Sequence, residues 1–86
     1  MNLRNEDLTW QEIDDEIIVL DLRASSYLKL NGTGALLWKQ LAAGSDEQTL
    51  VNTLTATYEV AVEQAERDVE AFVRRLERAQ LLEPSR

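Results

Sequence analysis

Apolar positions alternate over the first third of the chain, then recur at helical spacing to its end. Trp10 to Ile13 reads as a short first strand, and Asp14-Asp15 as a turn, because Asp bonds its own backbone and tolerates tight bends. Glu16 to Leu22 (EIIVLDL) is β-branched and apolar and predicts a second strand. Ile18, Leu20 and Leu22 fall on one of its faces, and Ile17, Val19 and Asp21 on the other. Arg23 to Ser26 is a second turn, and Tyr27 to Leu30 a third strand. There Leu28 and Leu30 share a face, opposite Tyr27 and Lys29. Three short strands with tight turns make an antiparallel meander.

From Asn31 the period changes. Leu36, Leu37, Trp38 and Leu41 supply the apolar face of a first helix that runs to about Ala43 and stops at Gly44. Asn31 is its expected N-cap, and Gly32 and Gly34 let backbone pass close to a neighbour in its first turn. Ser45, with Gln48 three residues on, predicts a capping box for a second helix, whose buried face is Leu50, Val51, Leu54 and Tyr58. After Glu59 to Ala61 the longest helix runs from about Val62 to Ala79. Val62, Ala65, Val69, Phe72, Leu76 and Ala79 recur on one side of it. Glu63–Arg67 and Glu70–Arg74 are i,i+4 pairs in the favourable order. Leu81-Leu82 is expected to pack back on the core, and Pro84 to end regular structure. The order β-β-β-α-α-α predicts an α+β fold, one small antiparallel sheet packed on three helices, since neither layer buries its apolar face alone. Residues 1–86 read as a single domain, with polar, loose residues at 1–9.

Composition narrows the chemistry. The 86 residues contain no cysteine and no histidine. That removes disulfides, thiolate metal sites and the side chain best poised for acid–base work near neutrality. The net charge of -7, with only two lysines, is a poor match to phosphate. The first residues lack an apolar signal core, and no run approaches the roughly 20 residues of a membrane helix. A cytoplasmic protein that touches neither membrane nor nucleic acid is expected.

The candidate sites thin out accordingly. Asp14, Asp15 and Glu16 are consecutive acids in a tight turn, whereas an oxygen cage for a cation needs ligands spaced around a loop. Ser25, Ser26 and Ser45 have no histidine to activate them, and a pairing with Lys29 or Lys39 has no pattern behind it. NGTG sits at a helix start, where orphan N–H groups hold anions, but it lacks the ending of a P-loop and the glycine spacing of a dinucleotide fingerprint. No catalytic residue, metal or cofactor is assigned. Three helices with a small sheet suggest a winged helix-turn-helix shape, which often reads DNA. Yet Arg67, Arg74, Arg75 and Arg78 share the last helix with Glu63, Glu66, Asp68, Glu70 and Glu77, which is no basic stripe. Trp10, Trp38, Tyr58 and Phe72 read as core, and Tyr27 as the aromatic that looks outward.

The sheet edge remains. A short third strand flanked by the long last helix forms a groove in which a peptide could add a strand. Alternatively, Lys29 blunts that edge against aggregation. Pattern alone leaves both open.

The stretch YLKLNGTGALLW (Tyr27 to Trp38) resembles the signature of PqqD-like proteins, the leader-peptide recognition elements of ribosomally made, post-translationally modified peptides. The resemblance runs on through LAAG, Tyr58, Asp68-Val69, Phe72, Leu76 and Leu81-Leu82, and so spans about Ile13 to Leu82. It implies a winged helix-turn-helix-like fold that binds a precursor's leader as an added antiparallel strand on the third strand, in a cleft against the third helix. It places backbone contacts on Tyr27, Leu28, Lys29 and Leu30. Side-chain contacts fall near Arg67, Asp68, Val69, Ala71, Phe72 and Arg75. Thr33-Gly34-Ala35 and the short chain are most similar to the stand-alone recognition proteins of lasso peptide clusters. Those present the precursor to a cysteine-protease-type leader peptidase, which hands over to a cyclase. A PqqD-type chaperone serving a radical-SAM enzyme is the alternative within the family, and a small winged-helix DNA binder the alternative outside it.

Overall fold

The computed structural model describes residues 1–83, so the expected stop at Pro84 lies outside the described residues. The element order is β1 (Leu8–Ile13), β2 (Glu16–Asp21), β3 (Ser26–Asn31), α1 (Gly32–Ala42), α2 (Glu47–Thr57) and α3 (Val62–Arg78). This is the expected β-β-β-α-α-α arrangement. The sheet is an antiparallel meander in the order β1-β2-β3. The β1–β2 turn is two residues long, with Asp14 left-handed at φ 57°. The inner face of the sheet carries Ile17, Val19 and Leu30 against Leu37, Trp38 and Leu41 of α1. The helices close the core with Leu50, Val51 and Leu54 from α2 and Ala65, Val69, Phe72, Val73 and Leu76 from α3.

The strand-to-helix junction works differently from its expected form. Asn31 holds the N-cap position, but it is still extended (φ -142°, ψ 171°) and its side chain makes no capping hydrogen bond. The turn is made by Gly32, whose φ of +52° lies in the left-handed region that glycine adopts without the conformational cost an L residue bears. Gly34 serves a close approach instead. A Cβ there would stand 3.3 Å from Leu30 Cδ2 and 3.9 Å from Phe72 Cε1.

The cap of α2 is Asp46, not Ser45. Asp46 Oδ1 accepts from the Thr49 N–H at 2.8 Å, while Gln48 turns to Asn52 rather than back to the cap. A carboxylate suits the positive end of the helix dipole better than a hydroxyl, and Asp46 is held below the usual carboxylate range chiefly by the Thr49 backbone hydrogen bond. Tyr58 ends α2 in an extended conformation and is 40% exposed, so it leaves the buried face. Val62 on α3 and Ala79, which caps its C-terminus, are likewise exposed, and Val73 takes a core position. The Glu70–Arg74 pair forms at 2.6 Å. Arg67, however, donates to Gln64 Oε1 at 3.0 Å and makes no ion pair with Glu63 among the described residues. Trp10 is exposed (39%) rather than in the core, where the sequence pattern puts it, and meets Trp38 edge-on, with ring centroids 6.4 Å apart.

Residues 1–9 are tied into the body rather than standing off it. Leu3 is in the core and bridges Leu82, Arg4 N–H donates to Leu81 O at 2.8 Å, and Leu8 and Thr9 begin β1. Leu81 is buried and Leu82 partly so, as the apolar pair predicts.

Candidate functional site

The hydrogen-bond phase of β3 decides what its edge offers. Leu22 N–H donates to Asp7 O at 2.8 Å, on the β1 side of β2. Antiparallel strands alternate the direction of their backbone groups, so Asp21, Val19 and Ile17 face β3. The register pairs those three with Ser26, Leu28 and Leu30. The backbone groups of Ser26, Leu28 and Leu30 are therefore used within the sheet. Those of Tyr27, Lys29 and Asn31 point to the open edge, because β3 has a neighbour on one side only.

Beside this edge, β3 and the C-terminal half of α3 flank a cavity of about 360 Å³. Val19, Leu28, Ala79 and Leu81 give it an apolar floor, and Arg75 and Arg78 stand on its helical wall. A larger depression, about 1010 Å³, lies between the N-terminal segment, the start of α2 and α3. Its acids are Glu6, Asp46, Glu47, Glu77 and Glu83, and no strand of the sheet lines it. A third depression, about 440 Å³, lies by the other edge strand, β1, where Leu8 and Trp10 meet Leu3, Leu41 and Ala42. The 360 Å³ cavity is the one that joins the β3 edge to apolar surface and to α3.

The turn end of the cavity is built around Asp21. Its Oδ1 accepts from Arg4 Nη2 at 2.6 Å and from the N–H groups of Arg23 and Ala24 at 3.1 and 3.2 Å. The Arg4 hydrogen bond is the main reason the carboxyl sits below its usual range, opposed by partial desolvation. Arg4 also donates to Gln80 O at 2.8 Å, so one guanidinium joins the end of β2 to the end of α3. Asp21 and Gln80 both line the cavity.

The residues expected at the site separate in space. Tyr27, Leu28 and Arg75 line the cavity. Leu30 and Phe72 both lie close to Gly34 but are nearly buried and do not line the cavity. Tyr27 is 72% exposed, and Lys29 pairs with Glu16 at 3.1 Å on the outer face, so both offer the edge backbone rather than side chain to the groove. On α3, Asp68, Phe72, Arg75 and Ala79 form one i, i+4, i+7, i+11 stripe. Ala71 lies beside that stripe, exposed. Val69 is 1% exposed and belongs to the core. Arg67 lines a separate depression with Glu63, Glu66 and Glu70, over α2. The cavity also uses Ala24, Ser26, Arg78, Ala79 and Leu81, which the sequence reading did not include. Arg78 was findable, being three residues beyond Arg75 on one helical flank. Leu81 was read only as core.

Among the described residues no group of three or more His, Cys, Asp or Glu side chains is placed to hold a metal ion. No helix among them is long and apolar enough to cross a membrane.

Residues 16–82 match the family described as coenzyme PQQ synthesis protein D (PqqD). No curated protein matches the chain in sequence. Among solved structures, the chain is similar to that of TbiB1 in complex with the TbiA(beta) leader peptide, with 30% identity and a TM-score of 0.91 over 100% of this chain and 99% of that one. It is also similar to a lasso peptide synthetase B1 complexed with the leader peptide, with 32% identity and a TM-score of 0.85 over 96% of each chain.

Proposed function

The chain belongs to the PqqD family, and from that premise we propose that it is a non-catalytic adaptor that captures the leader of a ribosomally made precursor peptide in lasso peptide biosynthesis. The observation that carries this reading is the free β3 edge, with the outward backbone of Tyr27, Lys29 and Asn31 beside an apolar-floored cavity. An extended peptide gains main-chain hydrogen bonds from such an edge, and its alternate side chains enter the groove. The two similar structures, both described as complexes with a leader peptide, support it.

The clamped precursor is handed to a separate processing enzyme, a leader peptidase of the cysteine-protease type, with a cyclase acting afterwards. Holding the precursor raises its effective concentration at that enzyme, which is how a chain without catalytic groups stimulates a reaction. The family's association with coenzyme PQQ synthesis favours one second reading, a peptide chaperone for a radical-SAM enzyme.

The test is a fluorescence titration with the leader of the precursor encoded beside this chain. Saturable binding is expected, and Lys29→Pro should abolish it by removing an edge N–H. Full affinity in a folded Lys29→Pro variant would place the peptide on another surface.

A further inference from the structure

We infer that the groove selects a leader segment carrying an acidic side chain, which docks on Arg75 and Arg78 two residues after an apolar anchor. This rests on the strand-addition reading above. Its basis is the distribution of charge along α3. Arg67 has Glu63 and Glu70 within helical reach, and Arg74 has Glu70 and Glu77, at i±3 or i±4. Arg75 has only Ala71, Phe72, Arg78 and Ala79 at those positions. Arg78 has only Arg74, Arg75, Leu81 and Leu82. In a chain of net charge -7, these two arginines stand where the helix supplies no counter-charge. Among the described residues neither makes an ion pair, whereas Arg74 binds Glu70 at 2.6 Å.

Both unpaired arginines line the cavity beside Ser26, Tyr27 and Leu28. The one carboxylate in that lining, Asp21, is already satisfied by Arg4 and two backbone N–H groups. The groove is thus polarised. Past the cavity, towards Gly34, the neighbouring side chains are the apolar and nearly buried Leu30 and Phe72. The Tyr27–Arg75 end instead carries two guanidinium groups, with no ion pair among the described residues, over the floor made by Val19, Leu28 and Leu81. A guest strand sends alternate side chains inward, so consecutive inward positions are two residues apart. In a guest antiparallel to β3, the acid falls on the C-terminal side of the apolar residue. A carboxylate there accepts charge-assisted hydrogen bonds from planar donors, and a lysine there meets like charge.

The test is selection of an mRNA-displayed random peptide library on the wild-type chain, on Lys29→Pro and on an Arg75→Glu/Arg78→Glu variant. Enriched peptides should share an apolar-x-Asp/Glu pattern and lose binding to Lys29→Pro. Their affinity for the charge-reversed variant should fall by roughly tenfold, and selection on that variant should favour Lys or Arg at the acidic position. Enriched peptides that depend on the edge but show no acidic preference would overturn this inference and leave peptide capture standing. Absence of enrichment, or enrichment indifferent to Lys29→Pro, would overturn both. If the charge-reversed variant does not fold, the wild-type preference and the neutral Arg75→Gln variant decide the matter.

Discussion

Arg4 and Asp21 form the closest polar link between the N-terminal segment and the sheet, with Nη2 2.6 Å from Oδ1 and both side chains less than a tenth exposed. The same guanidinium reaches Gln80 O, so the pair holds the end of β2 against the end of α3. Because the Asp21 carboxyl titrates below its ordinary value of 3.8 in the folded chain, the folded state binds its proton less readily than the unfolded state does. The stabilisation is full above that ordinary value and is lost as pH falls towards the lowered native one. Asp21→Asn should lower the melting temperature near neutrality and flatten its decline below pH 3.8. Thermal melts of both proteins across the acid range check this; parallel acid limbs would contradict it.

The alternation along β3 makes a prediction at single amides. In the free protein the Tyr27 and Lys29 N–H groups should exchange with solvent quickly, while Leu28 and Leu30 are protected by β2. Adding a leader peptide should protect Tyr27 and Lys29 selectively. Hydrogen exchange followed by NMR reads each amide, and protection of Leu28 alone would mean that the phase is wrong.

Gly32→Ala should cost about 1–2 kcal/mol, because the left-handed backbone penalises an L residue there. No atom lies within 4 Å of the added Cβ, so the loss is conformational rather than a clash. Denaturant unfolding measures it, and an unchanged midpoint would show that the junction relaxes.

Trp38 is fully buried, yet its Nε1 has no hydrogen-bond partner among the described residues. Trp38→Phe removes that unsatisfied donor along with some packing, and the two effects oppose each other. It should change stability by less than about 1.5 kcal/mol, whereas Trp38→Ala should cost about 3–5 kcal/mol. Equal losses in the two variants would mean that the indole N–H is satisfied in solution.

Much of this protein was determined by local pattern. Alternation in EIIVLDL, the glycines around Thr33 and the helical spacing from Ala65 to Leu76 determined element order and most of the core, because each signal acts between residues near in sequence. The Tyr27 to Trp38 stretch likewise marked the family and the edge strand. Tertiary structure decided what depends on distant partners. Arg4 joined Asp21 and Gln80, and Leu3 met Leu82. It also decided which face of α3 meets the groove, setting Arg75 and Arg78 at the cavity, Val69 in the core and Arg67 over α2. One residue turns a helix by about 100°, so the wall of the site was settled only where α3 packs against α2 and the shared core.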